Sequence, residues 1–193
     1  TNDLLSAIAN AKIEGEGLSQ EFLDGSWLLI IFAGNDTTRN TMSGGVKLLA
    51  DFPDQKNLLL SHSDHFQNFL HETVRCVSPV IHMRRTSLVE SNIRGQEIGP
   101  FEKIALWYGA ANRDPEIFKN PDIFDITRKN ADKHLAFGFG RHTCLGKPIA
   151  LMQLNEFFSQ FLERFPNYQL NGSWKVAPNN FVHAIQDLPI KLK

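Results

Sequence analysis

The apolar positions of this chain predict a helix-rich protein with one unusually long helix. Residues 19–51 form a single helical pattern, in which Ser19 occupies the N-cap position and Glu21 suits the positive end of the helix dipole. Apolar side chains crowd every face of this helix over residues 27–33, which predicts that this part is buried all round. The other residues of the chain are too few to cover this helix on every side.

Shorter elements are predicted after the long helix. Two more helices are expected over residues 64–77 and 147–165, and each is followed by a segment that contains proline. Strands are predicted over residues 85–89, 93–98 and 181–185, and an irregular loop over residues 112–128. The first two strands are expected to pair across a turn. The pattern therefore predicts a mainly α-helical fold with small β-sheets, in the α+β class.

The composition is that of a packed globular protein. Hydrophobic residues make up 42% of the 193 residues and the formal net charge is −1, so neither disorder nor nucleic-acid binding is expected. The two cysteines, Cys76 and Cys144, do not make a disulfide framework, and no secretory signal opens the sequence. The longest apolar stretch, residues 28–33, is too short to span a membrane. We therefore expect a cytoplasmic protein with no membrane segment in this chain.

The most informative segment is the glycine-rich loop around Cys144. Residues 137–146 read Phe-Gly-Phe-Gly-Arg-His-Thr-Cys-Leu-Gly, and Pro148 then suits the first turn of the last predicted helix. The thiol is thus placed in a tight loop just before a helix N-terminus, where unpaired N–H groups stabilise a thiolate. The small residues allow a large flat ligand to approach the backbone.

Other interpretations of this loop were weighed from the residues alone. A buried cysteine in a glycine turn is the plainest alternative, and it stays open at this point. A dinucleotide-binding loop needs a glycine where Thr143 stands, and a cysteine phosphatase needs an arginine where Ala150 stands. A zinc site fits poorly, because Cys76 is remote in sequence.

Weak helix formers interrupt the long helix at residues 34–38. Gly, Asn, Asp and Thr disfavour helix interiors, and Gly costs about 1 kcal/mol relative to Ala. Threonine hydroxyls that bond back to earlier carbonyls would kink the helix and leave room for water. A conflict of this kind is typical of a functional site. The alternative is that the helix ends at Gly34 and that Asp36 caps a new one.

The loop at residues 137–146 matches the haem signature of cytochrome P450s at all six of its defined positions. The chain therefore resembles the C-terminal, haem-binding half of that family, in its bacterial soluble form. The resemblance extends from about residue 28 to the C-terminus. Because the family's N-terminal half is not represented, we expect residues 1–193 to form one partial P450 domain.

The resemblance implies haem b as the cofactor, with Cys144 as the thiolate ligand to its iron. His142 and Arg85 would bind haem propionates, with Arg84 as the alternative to Arg85. The other residues implied to contact the haem are Phe137, Gly138 and Gly146 in the cysteine loop, and Ala33 and Gly34 in the groove above the ring.

The resemblance also assigns a catalytic pair and a structural triad. Asp36 and Thr37 match the family's acid–alcohol pair, in which the threonine steadies dioxygen and the acid helps deliver protons. Glu72 and Arg75 share a helix face at i, i+3 spacing, and such a pair is by itself a weak signal. In the family this pair is joined by a later arginine, here Arg128, to hold the haem-loop region. The segment at residues 112–115, Asn-Arg-Asp-Pro, is a further feature that resembles the family.

The implied activity is haem-thiolate monooxygenation of an apolar substrate. One atom of O2 would enter a C–H bond of an alkane, a fatty acid, or a sterol or terpenoid side chain. Electrons would come from NAD(P)H through a ferredoxin reductase and a ferredoxin, with Arg141 and Lys147 as contacts or as ordinary solvated charges. The rivals are a peroxide-using haem-thiolate enzyme and a non-catalytic, truncated haem-binding remnant.

Overall fold

The computed structural model describes residues 2–193, and it divides into two compact units, residues up to Asp36 and residues 37–193. The helices are α1 Leu4–Ala9, α2 Gln20–Asp51, α3 Pro53–Ser61, α4 Phe66–Val77, α5 Tyr108–Ala111 and α6 Lys147–Arg164. Short 3-10 turns lie at Ser63–His65, Ala131–Lys133 and Gly140–His142. Within the described residues, every helix is too short or too polar to be a candidate for crossing a membrane.

Ten short strands pair into five separate two-stranded antiparallel sheets in the described residues. In chain order they are β1 Lys12–Ile13, β2 Glu16–Gly17, β3 His82–Thr86, β4 Ser91–Ile93, β5 Gln96–Ile98, β6 Lys103–Trp107, β7 Gln169–Leu170, β8 Lys175–Val176, β9 Ile185–Asp187 and β10 Ile190–Lys191. The pairs are β1 with β2, β3 with β6, β4 with β5, β7 with β10 and β8 with β9. The prediction of a mainly helical fold with small sheets is confirmed.

The first unit contains α1, the β1–β2 hairpin and the first half of α2. Asp3 caps α1 by accepting a hydrogen bond from the backbone N–H of Ser6 at 2.7 Å. On α2, Leu28 and Ile31 are 71% and 69% exposed, so the prediction of burial all round over residues 27–33 is wrong for this chain. Within the chain, α2 is buried only beyond this unit, from Thr38 onward.

The second unit has one hydrophobic core between the C-terminal half of α2, α3, α4 and α6. Its buried side chains include Leu49, Leu59, Phe69, Leu70, Val74, Phe124, Ile126, Leu154, Phe158 and Tyr168. The helices approach closely at Gly45, where a Cβ atom would lie 2.4 Å from Cζ of Phe158 and 2.8 Å from Cγ2 of Thr73. Only glycine therefore fits at this position without displacing the core.

The predicted strand pairing differs from the observed one. The hairpin joins β4 to β5 around Arg94 and Gly95, both of which have positive φ, as a two-residue turn between strands requires. Residues 82–86 instead pair with β6, in register Arg85 with Ile104. The candidate strand at residues 181–185 was also misplaced, because β9 begins at Ile185 and Val182 forms only an isolated bridge to Val80. The remaining expectations hold, since α6 begins at Lys147, α4 ends at Val77, and residues 112–128 contain neither helix nor strand.

The haem-loop region and the buried triad

Cys144 lies on an exposed loop directly before α6, and its thiol is free. The loop closes on itself, because the backbone N–H of Cys144 donates to the carbonyl of Phe137 at 2.8 Å. Gly138 has φ +71°, and a Cβ atom there would lie 2.8 Å from the carbonyl oxygen of His142. The glycine is therefore required for the turn that presents the thiol. The exposure of Cys144 excludes the alternative of an inert buried cysteine.

The exposed thiol is surrounded by apolar side chains that also face solvent. Phe139 and Leu145 are 84% and 79% exposed, and Ile149 and Met152 on α6 are also exposed. A soft thiol donor amid uncovered apolar surface fits a large, flat, apolar ring that carries iron. Two glycines with open backbone add to the fit, since nothing lies within 4 Å of a Cβ built at Gly140, and at Gly146 only the Cys144 sulfur does, at 3.9 Å. The residues of this loop therefore fit a haem.

The residues just before the loop are held by a pair of histidines. The backbone N–H of Ala136 donates to Nδ1 of His134 at 3.2 Å, so the neutral ring carries its proton on Nε2. That nitrogen lies 3.4 Å from Nδ1 of His71 on α4, and the His134 ring also packs against Phe137. Burial, and then the positive charges of His71, Lys147 and Arg75, lower the pKa of His134 to about 3. The pair is thus a neutral hydrogen-bonded link from α4 to the haem loop.

This histidine pair predicts acid sensitivity of the fold. Burial first, and then the charge of Lys147, also lower the pKa of His71. As pH falls below about 6.5, these histidines become protonated in the unfolded chain but stay neutral in the folded chain. The free energy of unfolding therefore decreases, by up to about 1.4 kcal/mol per pH unit for each histidine. Urea unfolding between about pH 7.5 and pH 5 should show this loss, and a His134→Gln variant should show a shallower one. Equal slopes in the two proteins would contradict the assignment to His134.

Glu72, Arg75 and Arg128 are brought together in the core beneath the loop. Arg75 binds Glu72 through two parallel hydrogen bonds of 2.7 Å, and both side chains are fully buried. Nε of Arg128 lies 3.0 Å and 3.1 Å from the two oxygens of the same carboxylate. Burial opposes the charge on Arg75, but its hydrogen bonds to Glu72 and the nearby negative charge raise its pKa above the usual value. The carboxylate is thus paired with two guanidinium groups.

The remaining guanidinium donors are satisfied by backbone carbonyls of the irregular segment at residues 112–128. Arg75 donates to the carbonyls of Asn112, Pro121 and Ile123. Arg128 donates to those of Lys119, Asn120 and Ile123. A segment without helix or strand needs other partners for its backbone groups, and the two arginines supply them. The triad therefore holds the loop that leads toward the cysteine.

Arg85 and Arg84 lie next to one another on β3. Arg85 is half-buried and its Nη1 donates to the backbone carbonyl of Arg84 at 2.9 Å, whereas the Arg84 side chain is exposed. His142 is exposed at the end of the 3-10 turn that precedes Cys144. These side chains are accessible hydrogen-bond donors, which suits them to carboxylates.

Ala33, Gly34, Asp36 and Thr37 lie on α2, which is helical without interruption from Gln20 to Asp51. The alternative of a helix that ends at Gly34 is therefore wrong. Asp36 and Thr37 are half-buried neighbours, and successive helix residues point about 100° apart. The hydroxyl of Thr41 bonds back along the helix, to the carbonyl of Thr37 at 2.8 Å.

Sequence reasoning missed two polar groups of this region, His134 and the side chain of Asn112. The sequence pattern singles out Asn112 only as part of the Asn-Arg-Asp-Pro segment, and it does not single out His134. The side-chain partners of Asn112 lie 34 and 23 residues away, and His71, which His134 meets on α4, lies 63 residues away, so no local spacing predicts these contacts. Only the fold reveals that both meet the chain just before the cysteine loop.

Comparison with known proteins decides the family. A family model described as cytochrome P450 matches residues 60–192, which include the triad and the cysteine loop. The chain belongs to the cytochrome P450 family. It is 35% identical to linalool 8-monooxygenase of Pseudomonas putida and 36% identical to the steroid C26-monooxygenase of Mycolicibacterium smegmatis, over 98% of its own length in each case. The structure of a Mycobacterium marinum cytochrome P450 in complex with pseudoionone superposes on the whole chain with a TM-score of 0.94 at 38% identity.

This P450 chain spans about half the length of the relatives it matches. It covers 47% of the linalool enzyme, 48% of the steroid enzyme and 46% of the Mycobacterium marinum chain. The matched half contains the cysteine loop, the buried triad and the long helix α2. Membership of the family and its fold are therefore established for this chain, and the family implies haem as the cofactor. What the complete protein does is a separate inference.

Proposed function

We propose that this chain is the haem-binding part of a monooxygenase that places one atom of O2 into a C–H bond of an apolar, lipid-like substrate. The observation that carries the proposal is the exposed thiol of Cys144, presented by a P450 loop whose base is held by a buried ion-paired triad. When bound, haem supplies the activation of dioxygen. The protein supplies the sulfur ligand, the proton supply and the shape of the pocket.

Each residue of the loop region has a proposed part in holding the haem. Cys144 provides the thiolate to iron, and Phe137, whose carbonyl is bonded to the Cys144 N–H, packs beside the sulfur. Arg85 and His142 donate hydrogen bonds to the propionates, with Arg84 as the alternative to Arg85. Gly138 and Gly146 keep the backbone close to the ring, and Ala33 and Gly34 line the groove where substrate and oxygen lie.

Asp36 and Thr37 are proposed to move protons. The hydroxyl of Thr37 donates a hydrogen bond to oxygen in the groove, and the carboxylate of Asp36 takes up protons from solvent. Their different directions on α2 suit these roles, because one group can face the groove while its neighbour turns toward water. The half-buried position of both residues agrees with groups at such a boundary.

The substrate is proposed to be a terpenoid, a sterol or a fatty-acid-like molecule. Two relatives that match 98% of this chain are named for linalool and for a steroid, and a structural neighbour holds pseudoionone. All three ligands are largely apolar, and enclosing them gains free energy in proportion to the apolar area buried. A hydrophobic groove with few polar groups is the site that such molecules require.

Electrons are proposed to come from NAD(P)H through a ferredoxin reductase and a ferredoxin. Arg141 is exposed beside the cysteine, and the ammonium of Lys147 lies over the Phe137 ring, 5.6 Å from its centre. Both cations thus lie at the loop that carries the sulfur ligand. An acidic partner that docks there would be steered by complementary charge.

The test uses the protein expressed from its complete gene, with linalool, a methyl-branched fatty acid and a sterol as probes. With NADH, ferredoxin, reductase and isotopically labelled dioxygen, the product should carry one labelled oxygen atom. A Thr37→Ala variant should bind haem normally but form on the order of 10- to 100-fold less product per NADH, because it lacks the hydroxyl that donates to oxygen. Thr37→Ser, which keeps the hydroxyl, should recover most of the yield. Product formation with peroxide by an unmodified protein that forms none with NADH, ferredoxin and reductase would contradict the dioxygen route.

A further inference from the structure

The side chain of Asn112 connects the buried triad to the chain that enters the haem loop. Asn112 is fully buried at the end of α5, and all four of its polar groups have partners. Its backbone N–H donates to the carbonyl of Tyr108 and its carbonyl accepts from Nη1 of Arg75 at 2.7 Å. Its side chain then makes two more bonds, which run in opposite directions.

The two side-chain bonds fix the orientation of the amide. Oδ1 accepts from the backbone N–H of Leu135 at 2.6 Å, and Nδ2 donates to the hydroxyl of Ser78 at 2.8 Å. The Ser78 hydroxyl in turn donates to the carbonyl of Arg75 at 2.9 Å. Because the N–H of Leu135 can only donate and the proton of Ser78 is already used, the reversed amide would lose both bonds.

The far end of this connection is the backbone that carries Cys144. The carbonyl of Leu135 accepts from the N–H of Gly138 at 2.8 Å, and the carbonyl of Phe137 accepts from the N–H of Cys144 at 2.8 Å. A continuous path therefore runs from Arg75 to Asn112, from the Asn112 side chain to Leu135, and from Leu135 through Gly138 to Cys144. Its links are hydrogen bonds and the peptide units between them. A displacement at Leu135 therefore reaches Cys144 through two further backbone hydrogen bonds.

We propose that Asn112 is a positioning residue for the haem ligand: its amide holds the backbone at Leu135 in the place that keeps the sulfur of Cys144 bound as thiolate. The inference rests on the haem ligation proposed above. This role differs from general stabilisation of the fold, because the hydrogen bond from Leu135 to Asn112 acts on the loop that carries Cys144. Loss of this bond should therefore alter the ligation of the haem iron while the protein is still folded.

The experiment compares two buried asparagines in the complete holoprotein. Asn112→Leu removes the amide but keeps the number and branching of the side-chain heavy atoms. Asn40→Leu is the matched control, since Asn40 is also buried and its Oδ1 accepts from a backbone N–H, that of Ile185, at 2.8 Å. The readout is the ferrous carbon monoxide spectrum, which separates thiolate-ligated haem from haem that has lost its thiolate. Urea unfolding of the same samples measures the loss of stability.

Asn112→Leu should lower the ratio of thiolate-ligated to displaced haem on the order of tenfold, as expected for a buried donor that loses its acceptor. Asn40→Leu should leave that ratio within about twofold at a similar loss of stability. If Asn112→Leu does not fold, Ser78→Ala provides the second test, because it frees Nδ2 while the Leu135 bond remains, and a smaller decrease in the same ratio is expected.

Equal spectral changes in the Asn112→Leu and Asn40→Leu variants would overturn the proposal, as would an unchanged ratio in Asn112→Leu or in Ser78→Ala. Failure of the proposed function looks different, because the unmodified protein itself would then lack the thiolate spectrum. The two failures are therefore distinguishable in one set of samples.

Discussion

Replacing Arg75 by alanine will lower the free energy of unfolding by about 3–5 kcal/mol, the loss expected when one member of a buried ion pair is removed. The arginine is fully buried and donates to Glu72, to three backbone carbonyls and to the sulfur of Cys76. Without it, the carbonyls of Asn112 and Pro121 lose a donor and the Glu72 carboxylate keeps only Arg128 as a charged partner. Arg75→Lys should recover little, because a single ammonium cannot replace the planar set of donors.

The matched control is an ion pair of similar length on the surface. Arg94 and Glu116 are 2.9 Å apart, but their side chains are 79% and 66% exposed. Arg94→Ala should therefore leave the free energy of unfolding almost unchanged. Urea unfolding of the complete holoprotein measures both changes. A loss of less than about 1 kcal/mol for Arg75→Ala would show that the triad does not hold the haem-loop region.

Local sequence patterns predicted elements that depend on near neighbours. The helix at Lys147–Arg164, the end of α4 at Ser78-Pro79 and the position of Cys144 before a helix all follow from periodicity and from proline and glycine. The predicted pairing of residues 85–89 with 93–98 is wrong because the chain turns at Arg94 and Gly95, inside the second predicted strand. A turn of two consecutive residues with positive φ decides which strands pair, even where the β-propensity of the flanking residues favours another pairing.

Long-range packing decided what the sequence could not predict. The i, i+3 spacing of Glu72 and Arg75 predicts that they meet, but a surface pair at that spacing is worth little, and only the carbonyls of residues 112–123 make this one a buried anchor. Gly45 gives no signal in sequence, since the rings and methyl groups it admits come from α4 and α6. The same holds for Asn112, whose partners lie 34 and 23 residues away.

Replacing Cys144 by alanine will remove the thiolate spectrum completely, because the ligand sulfur itself is lost. Cys76 provides the matched control, since it is the other cysteine of the chain. Burial and the charge of Glu72 raise the pKa of the Cys76 thiol to about 12, so it remains protonated, and it is enclosed beside Arg75. Cys76→Ala should therefore keep the thiolate spectrum, with at most the loss of stability that a small cavity causes.

The most direct measurement is the reduced carbon monoxide difference spectrum of the protein expressed from its complete gene, recorded for the unmodified, Cys144→Ala and Cys76→Ala forms. The unmodified and Cys76→Ala proteins should show the Soret band of thiolate-ligated haem, and Cys144→Ala should not. Thiolate ligation that persists in Cys144→Ala, or its absence from the unmodified protein, would contradict the assignment of Cys144 as the haem ligand.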